Sequence, residues 1–272
     1  MDGGRMDTMA FGAGAYCIPR SFHNLSSFLE MNGFLLLLCL ASLSKPTSEQ
    51  DSVESFDEMS TDLESNRNFI VDKHNYYRSW VNPPAADMLK MHWDNYYLAK
   101  AKEWALTCSF KHSNLSFRQY GGEFAGENIM NSYFRHSWEY VINYWFNEHV
   151  NWEYAVGTTK EGAVTGHFTQ IIWAPTHALA CYVAKCYGTP YNYFYVCIYY
   201  PTGNREDKVK TPYQNGTTCG LCQKDCDDQL CLNYCPYYNS AGNCGTDKNA
   251  SLCDYSDIGC DATCKCGSEK IY

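Results

Sequence analysis

The stretch CGLCQKDCDDQLCLNYC, residues 219–235, decides the organisation of the chain because it places five cysteines within seventeen residues. Ten of the sixteen cysteines fall in residues 219–272, where large aliphatic side chains are few. A segment with so little apolar volume cannot be held by a core alone, so it depends on cross-links. The pattern predicts a disulfide-bonded C-terminal region, which implies an oxidising compartment; the alternative is metal binding by CxxC pairs.

Upstream of this region cysteines are sparse and the chain can build a core. Four of them lie between residues 45 and 205: Cys108, Cys181, Cys186 and Cys197. The 272 residues are 45% hydrophobic and 16% aromatic, which excludes a disordered or low-complexity chain. The formal net charge of −9 lacks the basic surplus that would offset phosphate charge, which argues against nucleic acid as a partner.

An apolar run near the N-terminus predicts secretion. The run FLLLLCLASL, residues 34–43, has the length of a signal-peptide core and is too short to span a bilayer, although a buried helix is the alternative. We predict a leader of residues 1–44, with Met31 as a second candidate start. Its removal leaves fourteen cysteines, the even number that closed disulfides require. Residues 45–65 are acidic and rich in Ser and Thr, and predict a disordered segment.

Three amphipathic helices are predicted from apolar residues that recur every three or four positions. The first begins at Asn66 and ends before Asn82-Pro83-Pro84, the second follows Asp94 as N-cap, and the third begins near Ser137. Their expected buried faces are Phe69, Ile70, His74, Tyr77 and Val81 in the first, Tyr97, Ala101, Trp104, Ala105 and Cys108 in the second, and Val141, Tyr144, Trp145 and Glu148 in the third.

Two strands are predicted from alternating apolar residues, His167–Trp173 and Tyr193–Tyr200. The turn signal around Thr189 would fold residues 178–200 into a hairpin with Cys181 opposite Cys197, a spacing that suits a cross-strand disulfide. Cys186 would point to the other face of the sheet, which leaves Cys108 on the second helix as its partner. The first domain is therefore predicted to be an α/β sandwich with this helix bonded to the sheet.

Several motifs carry a resemblance to a known family. They are His74-Asn75, PPAADML at residues 83–89, Gly126-Glu127-Asn128, GHFTQIIW at residues 166–173, PTGN at residues 201–204 and TPYQNG at residues 211–216. With the cysteine spacing of the tail, they resemble the cysteine-rich secretory proteins, a CAP-domain family that includes reptile venom proteins. The resemblance implies a three-layer α-β-α CAP sandwich over residues 66–205, a cysteine-rich hinge over residues 206–232 and an ShK-like helical module over residues 233–272.

The resemblance also implies a disulfide pattern. The tail pairs would be Cys219–Cys226 and Cys222–Cys231 in the hinge, then Cys235–Cys266, Cys244–Cys260 and Cys253–Cys264 in the terminal module. In the sandwich the family pairs Cys108–Cys186 and Cys181–Cys197, which agrees with the register argument. Family members usually carry a further sandwich disulfide, but Ala125 and Tyr200 stand at its two positions here.

Four residues match the positions that line the central cleft of the family: His112, Glu127, Glu148 and His167. Imidazole nitrogen and carboxylate oxygen are both zinc ligands, so the resemblance implies a possible divalent-metal site, with Zn²⁺ as its cation. The alternative is that both histidines are solvated and bond the glutamates without metal. The same groups could support acid–base hydrolysis, but the chain has no GxSxG motif and its mature cysteines are expected to be oxidised.

The function implied by the resemblance is binding rather than catalysis. The expected partners are membrane proteins, such as ion channels or cell-surface receptors, in reproductive-tract, sperm or venom settings; a sterol or fatty-acid carrier is the other class. Toxin-like channel blocking would use Lys248, Lys265 or Lys270 beside Tyr237, Tyr238 or Tyr255. However, residues 206–272 carry six basic and ten acidic residues, so no general field draws them to a cation pore. Asn-X-Ser/Thr sequons at Asn114, Asn215 and Asn249 predict a glycoprotein.

Overall fold

The computed structural model describes residues 56–120, 123–237, 239, 244, 253, 259–266, 270 and 271. Its helices are α1 (Glu64–Ser79), α2 (Asn95–Leu106), α3 (Trp138–Phe146), α4 (Gly166–Ile171) and α5 (Asp261–Lys265), with 3-10 turns at Phe56–Met59, Leu115–Arg118 and Asn147–Asn151. Its strands are β1 (His92–Trp93), β2 (Gln119–Tyr120), β3 (Glu123–Phe124), β4 (Gly126–Ser132), β5 (Trp152–Glu153), β6 (Gly157–Thr158), β7 (Ala178–Lys185), β8 (Tyr193–Tyr200), β9 (Cys226–Asp227) and β10 (Leu230–Cys231). None of the described helices has the length and apolar character that crossing a membrane requires.

A four-stranded sheet in the order β1-β7-β8-β4 forms the centre of the fold. Strands β7 and β8 make an antiparallel hairpin in which Cys181 lies opposite Cys197, so the predicted register is confirmed. Strand β4 continues the sheet antiparallel to β8, while β1 pairs in parallel with the other edge of β7. The remaining strands form three two-stranded ribbons outside this sheet.

Both faces of the central hairpin are buried, which makes three layers. Odd-numbered residues of β7 and β8, such as Leu179 and Tyr195, pack in one core with apolar residues of α1, α3 and α4. Even-numbered residues, such as Ala180 and Phe194, pack against α2 in a second core. Because side chains alternate across a strand, the hairpin reads as a continuous apolar run with helices on both sides. The predicted α-β-α sandwich is confirmed.

The helix starts follow local capping chemistry. Asp94 precedes α2 and its Oδ1 accepts a hydrogen bond of 2.7 Å from the Tyr96 amide. Ser137 precedes α3 and its Oγ accepts a bond of 3.2 Å from the Tyr140 amide. Short polar side chains at the N-cap satisfy amides that have no partner within the helix. The predicted starts of α2 and α3 are therefore confirmed.

Arg78 in α1 ties the sandwich together from inside. It is 1% exposed, and its guanidinium donates hydrogen bonds of 2.6–3.0 Å to backbone carbonyl oxygens of Leu89, Ile171, Trp173, Ala174 and Thr176. These carbonyls belong to the segments around α4 and before β1, so one side chain fixes three pieces of chain. Burial lowers the pKa of Arg78 to about 9, a value at which the group is still charged at neutral pH.

Fourteen cysteines form seven disulfides. The pairs are Cys108–Cys186, Cys181–Cys197, Cys219–Cys226, Cys222–Cys231, Cys235–Cys266, Cys244–Cys260 and Cys253–Cys264, the set that the resemblance implies. Cys17 and Cys39 lie outside the described residues, as does the predicted leader. At the position of the absent family disulfide, Ala125 is fully buried and the ring of Tyr200 stacks on Tyr97 at 5.2 Å.

The hinge is joined to the sandwich by backbone hydrogen bonds. The Cys231 amide donates to the Met88 carbonyl at 2.7 Å, and the Lys90 amide donates to the Cys231 carbonyl at 2.8 Å. Further along, Cys235 and Asn233 bond the backbone of Ile271 near the C-terminus. The C-terminal region therefore begins as an extension of the segment that leads into β1.

The predicted strand His167–Trp173 is wrong, because residues 166–171 form helix α4. Residues 168–173 are all buried, so the alternation of apolar and polar residues does not correspond to a buried face and a solvent-exposed face. A short apolar run that is buried all round does not distinguish a strand from a helix by its period. The first two amides of the segment are also satisfied by a distant side chain, Glu148, which no local pattern reveals.

Three finer expectations also need correction. Residues 56–65 of the predicted disordered segment 45–65 are ordered, since Met59 is 1% exposed and its carbonyl accepts a hydrogen bond of 2.9 Å from Trp138 Nε1. Helix α1 begins at Glu64, two residues before the predicted start at Asn66. Tyr144 is 55% exposed, because α3 buries Trp138, Val141, Ile142 and Trp145 and Tyr144 falls beside that stripe. Phe69 is likewise exposed beside the buried stripe of α1.

Candidate functional site

The first histidine–glutamate pair joins the loop after α2 to strand β4. The Nδ1 atom of His112 lies 2.8 Å from Oε1 of Glu127. The Glu127 side chain is fully buried, and it also accepts hydrogen bonds from the Ser113 amide at 2.9 Å and the Ser113 hydroxyl at 2.8 Å. The His112 side chain is 55% exposed. Glu127 is thus a fixed acceptor that holds an accessible imidazole.

The second pair joins the turn after α3 to the start of α4. The Nδ1 atom of His167 lies 2.5 Å from Oε1 of Glu148, while Oε2 accepts bonds from the amides of His167 at 2.9 Å and Phe168 at 3.1 Å. The His167 ring also stacks on Trp145 at a centroid distance of 5.9 Å. One carboxylate therefore orients the imidazole and satisfies two amides that begin the helix.

The two pairs lie on neighbouring elements, because β4 and α4 are in contact. Asn128, the neighbour of Glu127, donates from Nδ2 to the His167 carbonyl at 3.1 Å. Gly126 allows the close approach: a Cβ there would lie 2.0 Å from Oε1 of Gln170. Gln170 also accepts a bond of 3.0 Å from the Gly203 amide. The Gly-Glu-Asn, GHFTQ and PTGN motifs are thus the pieces of one junction.

The carboxylate partners determine which ring nitrogen donates. A carboxylate can only accept, so Nδ1 of each histidine donates to it, and the neutral form of each ring has its lone pair on Nε2. Within the described chain, neither Nε2 has a hydrogen-bond partner. This carboxylate–histidine arrangement is the one that orients metal-binding histidines. The site can accordingly offer two imidazole nitrogens to a cation, with the carboxylates behind them.

The four predicted metal residues form two pairs rather than a compact four-ligand shell. Among the described residues, three potential ligands with all donor atoms within 4.8 Å of one another occur at Cys219, Cys222 and Cys231. Their sulfurs are in the disulfides Cys219–Cys226 and Cys222–Cys231, so they are not thiolate ligands. Zinc ligation by His112, Glu127, Glu148 and His167 stays a prediction.

Other predicted residues are placed as follows. In the tail, Lys265 Nζ lies 4.9 Å from the Tyr237 ring centroid and 3.0 Å from Asp261 Oδ1. The sequon residues Asn114 and Asn215 are exposed, and glycosylation of them stays a prediction. Lys248, Tyr238, Asn249 and Tyr255 lie outside the described residues.

Sequence reasoning missed the residues that support the cleft: Ser113, Asn128, Trp145 and Gln170. Two of them had a local signal, because Ser113 adjoins His112 and Trp145 precedes Glu148 by three positions, one helical turn. Asn128 contacts His167, 39 residues further along the chain, and Gln170 contacts Gly203, 33 residues further along. Such contacts become visible only in the folded structure.

The three-layer sandwich, its paired histidine–glutamate cleft and its cystine-rich tail define a CAP-domain protein with a Crisp-type C-terminal region. The profile of the "Cysteine-rich secretory protein family" matches residues 71–199, and the profile described as "Crisp" matches residues 219–272. Cysteine-rich secretory protein 1 of Mus musculus is 37% identical over 236 residues, which cover 85% of this chain and 96% of the mouse protein. The chain therefore belongs to the cysteine-rich secretory protein family.

Solved structures agree with the fold. The crystal structure of NaASP2 with Zn²⁺ is 30% identical with a TM-score of 0.52, and the match covers 64% of this chain and 98% of that one. The crystal structure of Na-ASP-1 is 28% identical with a TM-score of 0.51, over 61% of this chain and 46% of the other. Both matches extend over less than two thirds of this chain.

Proposed function

We propose that the chain is a secreted, non-enzymatic binding protein whose CAP cleft binds Zn²⁺ through His112 and His167. The observation that carries the proposal is the pairing of each Nδ1 with a buried or half-buried carboxylate, which leaves two Nε2 lone pairs for a cation. Zinc accepts imidazole nitrogen as a ligand, and a carboxylate behind the ring raises its basicity. The zinc-bound NaASP2, a relative at 30% identity, supports the choice of cation.

In this proposal the carboxylates orient the histidines and do not bind the metal directly. Glu127 and Glu148 each accept three hydrogen bonds from protein donors, which occupies much of their lone-pair capacity. When bound, the cation would supply positive charge that fixes both rings. The loop after α2 and the start of α4 would thereby be held at one separation, and water or a partner's donor atom would complete the shell.

Titration calorimetry with zinc chloride tests the cleft. We expect the zinc affinity of the double variant His112→Ala/His167→Ala to fall at least 100-fold. The variant Glu127→Gln should weaken zinc affinity by about 10–100-fold, because the His112 ring is no longer held by a carboxylate. The matched control is His136→Ala, whose imidazole stacks on Tyr140 and is not paired with a carboxylate. Equal zinc affinity in the double variant and the wild type would refute the assignment.

The non-enzymatic part of the proposal rests on the same hydrogen bonds. A hydrolase would need a carboxylate able to exchange a proton with substrate, whereas the Glu127 side chain is fully buried and already accepts three hydrogen bonds from Ser113 and His112. Incubation of the protein with a peptide library tests this directly. Peptide cleavage by the wild type that disappears in Glu127→Gln would establish the hydrolase instead.

Secretion is supported by the seven disulfides, since such bonds persist in oxidising compartments. Expressed in mammalian cells, the full chain should be recovered from the medium with its N-terminus beyond the apolar run at residues 34–43. Retention inside the cell with that run uncleaved would contradict secretion.

The partners we propose are extracellular or membrane proteins, including ion channels, engaged through the C-terminal region. The approach of Lys265 to Tyr237 supports a lysine–aromatic contact surface, although the nearby Asp261 offsets its charge. Patch-clamp recording from cation channels with the full chain and with Lys265→Ala tests this. A channel response that is equal for both proteins would exclude Lys265 from the contact.

A further inference from the structure

A large cavity in the described chain is separate from the two histidine–glutamate pairs. It has a volume of about 870 Å³ and lies where the start of α2, the β2–β3 ribbon and the end of β8 meet the root of the C-terminal region. None of His112, Glu127, Glu148 and His167 lines it. Cavities of about 300–1,000 Å³ are the usual size for small-molecule sites, so its lining is informative about ligand chemistry.

One wall of the cavity is made of tyrosine rings. Tyr97 and Tyr200 stack at 5.2 Å, and Tyr120 stands edge-on to Tyr200 at 6.2 Å with an interplanar angle of 89°. Tyr96 packs on Tyr120 at 4.7 Å, and these two rings are 42% and 46% exposed. Perpendicular aromatic faces around a void present several π surfaces to one ligand.

Carboxyl groups stand among these rings. Asp87, Asp94 and Glu123 line the cavity and are all partly buried. Burial raises the pKa of Asp87 and of Glu123, even though Glu123 accepts a hydrogen bond from Tyr200. Desolvated carboxylates are more stable when a cation approaches them. The wall therefore combines aromatic faces with three partly buried carboxyl groups.

Two cations of the lining offset this charge in part, since Lys208 acts on Asp87 and Arg205 acts on Glu123, while three carboxyl groups line the cavity. Arg205 and Lys208 are exposed, and Arg205 already bonds Asp207 at 3.1 Å, outside the cavity. His92 and His177 also line the cavity; burial lowers the pKa of His177 to about 4, and desolvation also lowers the pKa of His92. Both imidazoles are then neutral at physiological pH.

We propose that this cavity binds an organic cation with an apolar body, of the quaternary or alkylated ammonium class. Tyr96, Tyr120 and Tyr200 supply cation–π faces, Tyr97 supports Tyr200 from behind, and Glu123 and Asp94 supply the counter-charge. A desolvated ammonium group is attracted to the faces of several aromatic rings at once, while its alkyl groups bury against them. A neutral molecule of the same shape would gain only the apolar part of this interaction.

The test compares choline with its neutral isostere 3,3-dimethylbutan-1-ol. The affinity of the full secreted chain for each probe is measured by NMR chemical-shift titration. We expect choline to bind at least tenfold more tightly than the isostere. Tyr120→Leu and Glu123→Gln should each weaken choline binding about tenfold, and the matched control Tyr187→Leu, a 77% exposed tyrosine outside the cavity, should not. Equal affinity for the two probes, or unchanged binding in both variants, would overturn the proposal.

Two further experiments distinguish a lipid headgroup from free choline as the ligand, and distinguish this cavity from the zinc site. Flotation with phosphatidylcholine vesicles compares a lipid headgroup with free choline; binding of either supports the proposal, and binding of neither overturns it. Titration of His112→Ala/His167→Ala in the presence of EDTA should leave choline affinity unchanged. A failure of zinc binding would thus leave this inference standing, and a failure of choline binding would leave the zinc proposal standing.

Discussion

The sandwich and the C-terminal region bury apolar surface in different ways. The sandwich surrounds its β7–β8 hairpin with large side chains such as Trp145, Ile142 and Phe194, and carries two disulfides. In the described part of residues 219–271, seven of the nine buried apolar residues are cysteines, and the other two are Leu230 and Ala262. Cystine is thus an addition to a core in the first region and most of the core in the second.

Reduction should separate the two regions most strongly. We expect mild reductant at neutral pH to abolish amide protection in the tail, including the Cys231 and Cys235 amides, while the β7–β8 hairpin keeps its protection. Loss of one native disulfide from a small disulfide-rich domain costs about 2–5 kcal/mol, and five bridges cross-link the tail. Hydrogen exchange read by mass spectrometry, with alkylation to count open thiols, measures this.

Matched pairs of substitutions sharpen that experiment. Cys222→Ala/Cys231→Ala should unfold the hinge, whereas Cys181→Ala/Cys197→Ala removes an equally buried bridge and should leave a folded, less stable sandwich. Tail amides that stay protected after complete reduction would show that the C-terminal region has another source of stability.

Within the sandwich, the polar interior should matter as much as a disulfide. Replacing Arg78 by Met removes the guanidinium donor from five backbone carbonyls, of which those of Trp173 and Ala174 keep a backbone amide donor. We expect a loss of about 3–5 kcal/mol in the free energy of unfolding, measured by urea denaturation. Arg67→Met, in the same helix and without such bonds, should change stability by less than about 0.5 kcal/mol. Equal effects of the two substitutions would show that the carbonyls find other donors.

The same contrast explains how much could be predicted from the sequence. The β7–β8 register and the caps at Asp94 and Ser137 depend on neighbouring residues, so a local pattern predicts them. Helix α4 and the ordered Met59 depend on contacts with distant chain, and the local pattern was misleading there.

The candidate cleft was accessible only through the family resemblance. Its two pairs join residues 15 and 19 positions apart on different elements, a spacing without a helical or strand period. Its supporting amides, Asn128 and Gln170, contact chain further away still. The tyrosine-lined cavity had no signal at all, because its walls come from six separate segments that only the fold assembles.

The junction between the two regions carries two histidines. Tyr234, at the root of the C-terminal region, stacks on His177 at 4.5 Å and lies 5.7 Å from His92, and the two imidazoles are 5.8 Å apart. His177 is 8% exposed, and its Nδ1 bonds the Pro175 carbonyl at 3.1 Å. Desolvation is the main cause that lowers its pKa to about 4; His92 and Arg78 lower it further, while the Pro175 bond and Asp94 raise it.

Acidification should therefore loosen the junction before it unfolds the sandwich. A histidine with a lowered native pKa stabilises the docked state fully above its unfolded pKa of about 6.5, and this contribution is lost as pH falls from about 6.5 to 4 because the undocked state takes up the proton first. The upper limit of this loss, about 3 kcal/mol, applies only where His177 returns fully to water, as it does on complete unfolding. Protection of the Cys235 amide, which bonds Ile271, should fall over this range.

The variant His177→Phe separates this effect from general acid unfolding, because it keeps an aromatic partner for Tyr234 but cannot titrate. Its Cys235 protection should depend less on pH than that of the wild type. His74 lies inside the sandwich and bonds Ile70 and Tyr199, and burial lowers its pKa to about 4 as well. The variant His74→Gln should therefore make the stability of the sandwich less dependent on pH and leave the pH dependence of the junction unchanged. If His177→Phe loses tail protection over the same pH range as the wild type, the junction is not governed by this imidazole, and the two regions respond to acid as one body.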